Sequence, residues 1–462
     1  MTRSGLLWPA LTGVIISLLT FGALFRLNTG PVGLDRFAER VPGQDALPPE
    51  GRVTYSRVVI GEFFEKFEGT YRADLTGSWP AFRGADSTNV SREPVPLLAS
   101  FSREGPPVLW RIPLGEGHAA PAIFQGRFFL LDYLETEKAD ALRCFSLIDG
   151  RELWRRSYTI DIKRNHGYSR TVPAVTAGQV VTIGPMGHVM CVETDTGNLL
   201  WTMDLITRYK GVVPQWYAGQ CPLIDGNTAV LAPGGENALL VGVAVDTGEV
   251  LWETPNPGFW KMSHASVVPM VYRGTKMYVY AAQGGIVGVG AEGEYVGREL
   301  WRIGDWGATV VAPSPVILDE GIIYQSAGYG AGSVVVKLSG EKPPFRAEIL
   351  HRWNPREAMA TEQQTAIFYR NLLFGVLTKD SGSRRMMLVA CKSDNPSEFV
   401  FDGAPEFRFG LGPLVVADDK FFALADDGSL SLLKFEENRF VRTGHSKILP
   451  GVDAWGPIAV AD

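Results

Sequence analysis

Val192-Glu-Thr-Asp-Thr-Gly-Asn-Leu-Leu-Trp201 recurs, altered, along most of the 462-residue chain. Gly242-Val-Ala-Val-Asp-Thr-Gly-Glu-Val-Leu-Trp252 is nearly the same phrase, and Phe145-Ser-Leu-Ile-Asp-Gly-Arg-Glu-Leu-Trp154 is a third copy. Gly297-Arg-Glu-Leu-Trp301 is a fourth with a longer turn, and weaker relatives end at Trp110 and Trp353. The intervals between these tryptophans are 44, 47, 51, 49 and 52 residues. A fixed period of this length marks a repeat architecture.

The phrase has a physical reading. An apolar run meets Asp-Thr-Gly, where Asp can bond its own backbone and Gly can take a positive φ. A short second strand follows, with Trp near its end. That is a β-hairpin, and a lone hairpin is not stable in water. Upstream of each copy lies a Pro, a few small or branched residues, a polar turn and a β-rich run, as in Pro121-Ala-Ile-Phe-Gln-Gly-Arg-Phe-Phe-Leu-Leu131. Each period therefore holds about four strands, the content of one propeller blade. Trp110, Trp154, Trp201, Trp252, Trp301 and Trp353 are expected to dock each blade on the next.

Inner strands are expected to start at Pro121, Pro173, Pro222, Pro269, Pro315, near Thr365, at Pro413 and at Pro457. The degenerate repeat between Pro315 and Pro413 has Glu398-Phe-Val-Phe401 as its outer strand, and the next has Arg439-Phe-Val-Arg442. The expected fold is all-β, an eight-bladed propeller, with seven blades as the alternative. Pro107-Val-Leu-Trp110 and the last residues, 454–462, would share the thin eighth blade and remove the exposed edges.

Leu6 to Phe25 is a run of twenty uncharged residues flanked by Arg3 and Arg26, about what a helix needs to cross a bilayer. Residues 1–26 are therefore expected to be a membrane anchor or signal, the retained anchor being preferred because no clean cleavage site follows. The default orientation is a single pass through a bacterial inner membrane, with the rest of the chain on the periplasmic side. Residues 27–78 read as a linker rich in Gly and Pro, with a short helix suggested by the spacing of Val58, Val59, Phe63, Phe64 and Phe67. The propeller occupies 79–462.

Charge and cysteines bound the function. A net charge of −6 gives no basic stripe for nucleic acid. The four cysteines show no Cys-x-x-Cys or Cys/His ligand spacing, so no metal site is expected, and Cys144 and Cys191 occupy the same place in neighbouring blades. They read as buried, apolar-like residues.

Trp79-Pro-Ala-Phe-Arg-Gly84, then Val108-Leu-Trp110, then repeats ending in Asp-Thr-Gly-x-x-Leu-Trp resemble the PQQ-binding-like β-propeller repeat family over roughly residues 79–462. That family includes quinoprotein alcohol dehydrogenases and the outer-membrane-assembly propeller lipoprotein. The resemblance implies either a non-catalytic scaffold binding a protein or small ligand at the cell envelope, or a PQQ-dependent dehydrogenase oxidising alcohols or sugars with PQQ and calcium. The adjacent Cys-Cys pair of the alcohol dehydrogenases is missing here, which favours the scaffold, a monomer without cofactor.

Loops that precede inner strands open on one mouth of a propeller channel. They supply the candidate ligand-binding residues His118, His166, Arg170, Trp216, Tyr217, Gln220, His264, Glu362, Gln363 and Arg408. Polar groups converging on a concave mouth are the default binding-site expectation.

Overall fold

Residues 58–462 are described by a computed structural model. The expected anchor lies outside the described residues. The strands form seven antiparallel sheets, each with four successive strands in chain order from inner to outer, one of them widened by a fifth strand. They cover residues 122–159, 174–204, 223–254, 268–303, 316–353, 367–401 and 414–447, here blades 1 to 7. Buried clusters join each blade to the next, as Val181, Val189 and Trp201 of blade 2 meet Ala229, Val241 and Val243 of blade 3. Blade 7 meets blade 1 through Val415, Phe422, Ile123 and Phe128, so the ring closes as a β-propeller.

The strand starts follow the prolines. Inner strands begin at Ala122, Ala174, Leu223, Val268, Val316, Ile367 and Leu414. The eight-bladed expectation is corrected to seven complete blades. Residues 107–112 and 456–461 form no ladder. They instead pack in the seam between blades 7 and 1, where Trp110, Ile112 and Ile458 to Ala461 join one apolar cluster. The expected short helix is also corrected. Phe63–Lys66 is a strand that pairs with Glu152–Thr159 and widens blade 1 to five strands. An outer-edge ladder satisfies backbone groups that a helix of one turn would leave free.

The recurring phrase encodes contact between blades. Every blade has a register shift between its third and fourth strands. In four of them Trp154, Trp201, Trp252 and Trp301 sit beside it, facing Cys144, Cys191, Gly242 and Gly288. For the first three the glycine of the next hairpin turn lies beneath the indole. A methyl group at Gly197 would stand 2.8 Å from Trp154, at Gly248 2.6 Å from Trp201, and at Gly297 2.9 Å from Trp252. These glycines hold φ of 72°, 76° and 72°, so the turn and the ring above it both require glycine. The Trp201 indole N–H donates to the Val245 carbonyl at 2.7 Å, in that same next turn. Trp110 repeats the arrangement on blade 1, over Gly150 and donating to the Leu147 carbonyl at 2.8 Å. Trp353 does not share it: His351 takes the register position, and Trp353 stacks on His351 at 5.1 Å.

The channel is crossed by residues 79–91. Trp79 bridges Ile123 of blade 1, the Pro80 carbonyl accepts from Val175 of blade 2 at 2.8 Å, and Val90 bridges Val416 of blade 7. Phe82 and Arg83 lie against Pro222, Ser266 and Ser314 at the inner strands of blades 3 to 5. The Trp-Pro-x-Phe-Arg-Gly motif is thus a plug touching blades on both sides of the ring.

Above it, neighbouring inner strands are stitched by short side chains. Cys221 N–H donates to Ser266 Oγ, Ser266 N–H to Ser314 Oγ and Ser314 N–H to Thr365 Oγ1, each at 2.9 Å. Val172 N–H reaches Cys221 Sγ at 3.2 Å, so the thiol stands where the other blades use a hydroxyl. All four cysteines are free and buried.

Candidate functional site

A cavity of about 590 Å³ opens at the mouth above the plug, with Phe82 and Cys221 among its lining. Antiparallel strands alternate in direction, so two loops of every blade reach this face. One precedes the inner strand; the other joins the second and third strands. The first kind delivers His118, His166, Arg170, Trp216, His264, Glu362 and Gln363. The second kind delivers Tyr329 and Lys379, which the sequence reading missed by considering only one of the two sets. Strand alternation alone would have pointed to them.

Three expected residues lie elsewhere. Gln220 is buried and holds the Ala232 backbone at both ends, donating to its carbonyl at 2.6 Å and accepting from its N–H at 2.9 Å. Arg408 braces the Ser383 carbonyl at 2.8 Å and the Arg385 carbonyl. Tyr217 donates its hydroxyl to the Lys163 carbonyl. In each case a backbone group of a neighbouring loop captures the side chain before it can turn into the cavity.

The walls are aromatic. His118 stacks on Trp455 at 3.4 Å, and Trp216 stacks on Tyr329 at 5.6 Å with His264 6.2 Å away. The Lys379 ammonium lies 4.2 Å above the Tyr329 ring. Carboxylates are held in ion pairs: Glu116 with Arg164 at 2.6 Å, and buried Glu362 with Lys379 at 3.1 Å. The Arg164 hydrogen bond pulls Glu116 below the usual carboxylate range.

Arg170 differs from these. Among the described residues no carboxylate pairs with it, and its Nη2 donates only to the carbonyls of Asn165 at 2.8 Å and His166 at 3.2 Å. Its Nε is buried without a protein partner, as are both ring nitrogens of His264. Burial lowers the guanidinium to about 10. Burial and then the Arg170 charge lower His118 and His264 to about 4, so both imidazoles are neutral at pH 7.

Comparison with known proteins follows the repeats. The family model described as outer membrane protein assembly factor BamB, of the PQQ-like repeat type, matches residues 138–349. The matched residues run from the third strand of blade 1 into the last strand of blade 5. Solved structures extend the likeness of fold. A quinohemoprotein alcohol dehydrogenase from Comamonas testosteroni aligns with TM-score 0.55 and 11% identity over 81% of this chain and 73% of that one. A europium-containing methanol dehydrogenase aligns with TM-score 0.53 and 11% identity over 81% and 86%. The quinohemoprotein alcohol dehydrogenase ADHIIG from Pseudomonas putida HK5 gives 0.53 and 12% over 82% and 73%. At such identities the shared feature is the propeller. No curated protein matches the chain by sequence.

The PQQ-like resemblance raises the question of a quinone with calcium. Calcium takes six to eight oxygen ligands, several of them carboxylate. Here Glu116 and Glu362 are each bonded to a cation, and Asp453 lies exposed at the rim. Among the described residues no group of three or more His, Cys, Asp or Glu is placed to hold a metal. The donor set does not fit a calcium–quinone pair. Cys221, the thiol at the cavity floor, is pushed up to about 11 by burial and is a poor nucleophile at neutral pH.

Proposed function

We propose that the chain is a membrane-tethered, extracytoplasmic propeller whose mouth binds a ligand or partner without catalysing a reaction. Residues 1–26 would anchor it as a single pass in a bacterial inner membrane, with the blades on the periplasmic side. One observation carries the reading: two carboxylates and two buried imidazoles of the cavity are already committed or silenced. Glu116 and Glu362 are ion-paired, and His118 and His264 are held neutral to about pH 4. A general base needs a pKa near the working pH and a free path to its proton. What remains is a rigid, concave, aromatic-walled site, suited to recognition. The match of residues 138–349 to the assembly-factor family supports a protein partner at the cell envelope as a second occupant of the same face. The propeller is read as monomeric, because the terminal segments already cover the seam between blades 7 and 1.

The test is calorimetric titration of the full-length, detergent-solubilised protein with pyrroloquinoline quinone plus Ca²⁺, followed by dye reduction with alcohols and sugars. The expected outcome is no calcium-dependent binding and no turnover. Calcium-dependent binding with dye reduction would replace this reading by the dehydrogenase.

A further inference from the structure

We infer that Asp140 is a proton-operated latch on the wall of the mouth: neutral, it holds the connection between blades 1 and 2 shut through Ser169; ionised, it releases that connection to water. As a control on ligand access the latch rests on the proposed binding role; as a movement it does not. Asp140 is 1% exposed, does not line the cavity and has no cation beside it among the described residues. It stands in register with Tyr133 and Tyr158 in the ladder of blade 1. The Tyr158 hydroxyl donates to its Oδ2 at 2.9 Å, and Ser169 Oγ lies 3.3 Å from its Oδ1. A neutral carboxyl is satisfied there, accepting from Tyr158 and donating its own proton to Ser169. A carboxylate is not, since a buried charge needs a partner of opposite sign or water.

Packing decides which side yields. A methyl at Gly184 of blade 2 would stand 2.5 Å from Asp140 Oδ2 and from the Tyr158 hydroxyl, so that side is closed. Ser169 belongs instead to the strandless connection 160–173 and ties it to the preceding mouth segment. The Ser169 carbonyl accepts from the His118 N–H at 2.8 Å, and the Tyr168 N–H donates to the Glu116 carbonyl at 3.1 Å. Release of Ser169 therefore loosens both segments, 116–118 and 164–170, which carry His118, His166 and Arg170. The other groups around Asp140 supply no counter-charge. Asp132, on the neighbouring strand, is a like charge already paired with Arg143 at 2.7 Å. Tyr133 spends its hydroxyl on the Ile160 carbonyl at 2.8 Å, and Tyr168 stacks on the Tyr133 ring at 4.2 Å. From blade 2, His188 lies edge-on to Tyr158 at 5.4 Å, with Asp204 4.0 Å beyond it. Burial lowers His188 below the usual imidazole range, which keeps it uncharged. Burial also pushes the Asp140 carboxyl up to about 7, so the latch turns near neutral pH.

The test is hydrogen–deuterium exchange of the full-length, detergent-solubilised protein at pH 6 and pH 8, each rate divided by the intrinsic rate at that pH. Between these values a carboxyl titrating at about 7 goes from roughly one-tenth to roughly nine-tenths ionised. Exchange of residues 116–118 and 164–170 is therefore expected to rise up to about tenfold at pH 8, while residues 223–254 of blade 3 stay unchanged. Asp140→Asn keeps both contacts without a titrating proton and is expected to leave the two segments protected at both pH values. Ser169→Ala is expected to bring exchange at pH 6 up to the level seen at pH 8. No rise in the unmutated protein, an equal rise in blade 3, a rise that survives Asp140→Asn, or an unchanged response in Ser169→Ala would each overturn the inference. The unmutated comparison stands even if a variant fails to fold. The readout needs no ligand, so its failure is distinct from failure of the binding role, which the quinone titration decides.

Discussion

The two halves of the ring solve one packing problem with different residues. In blades 1 to 4 the indole of one blade lies over the turn glycine of the next: Trp154 on Gly197, Trp201 on Gly248 and Trp252 on Gly297. In blades 6 and 7 the same register positions carry Phe401 and Gly444. There a cluster of phenylalanines fills the interface, with Phe374 4.7 Å from Phe421 and Phe401 edge-on to Phe440 at 5.3 Å. Gly444 leaves room for Phe101, which arrives from the chain before the first blade; a methyl at Gly444 would lie 2.8 Å from its ring. The first scheme couples one side chain to one backbone position and therefore repeats visibly. The second spreads the contact over many interchangeable rings and leaves no phrase behind.

The difference sets the size of the expected effects. Trp201→Ala should be the most damaging change, about 3–5 kcal/mol in chemical denaturation, because a buried indole and its hydrogen bond to Val245 are both lost. Phe440→Ala removes a buried ring, but its phenylalanine neighbours can relax into part of the space. About 2–4 kcal/mol is expected, and a loss above that of Trp201→Ala would reverse the contrast. Gly248→Ala forces a side chain onto a left-handed backbone beneath an indole and should cost about 1–3 kcal/mol. Trp353→Ala should cost under about 1 kcal/mol, since the residue is half-buried and lies outside the docking register.

The mouth, which neither packing scheme reaches, responds to pH instead. His118 and His264 titrate near 4 when folded, against 6.5 for the free side chain. The unfolded chain therefore takes up protons first as pH falls, and their contribution to stability is lost between about 6.5 and 4. Side-chain NMR should show both rings neutral at pH 5.5; a charged ring at that pH would mean that the site is wetter than described.

The sequence exposed what was local and periodic. Tryptophan spacing and the prolines placed the inner strands within two residues, and the loops before them named seven of the cavity residues. What it hid was set by distant partners. Phe63–Lys66 carries a helix-like spacing but is captured by the free edge of Glu152–Thr159. His351 displaces Trp353 through a register shift that spacing alone does not reveal. Residues 79–91 read as a motif, while their role as a plug depends on strands that follow up to several hundred residues later. Gln220 and Arg408 looked like mouth residues until backbone carbonyls were seen to hold them. Arg170 stands apart from Arg164 only because Glu116 folds onto the latter.

The central claim is that the repeated phrase encodes one interface, Trp of one blade against Gly of the next. A double-mutant cycle on Trp201→Ala and Gly248→Ala, by equilibrium urea denaturation, tests it most directly. With the indole removed, the added methyl has space, and Gly248→Ala should lose at least about 1 kcal/mol of its cost. Additive costs, within about 0.3–0.5 kcal/mol, would show that the two positions act independently and would contradict the account.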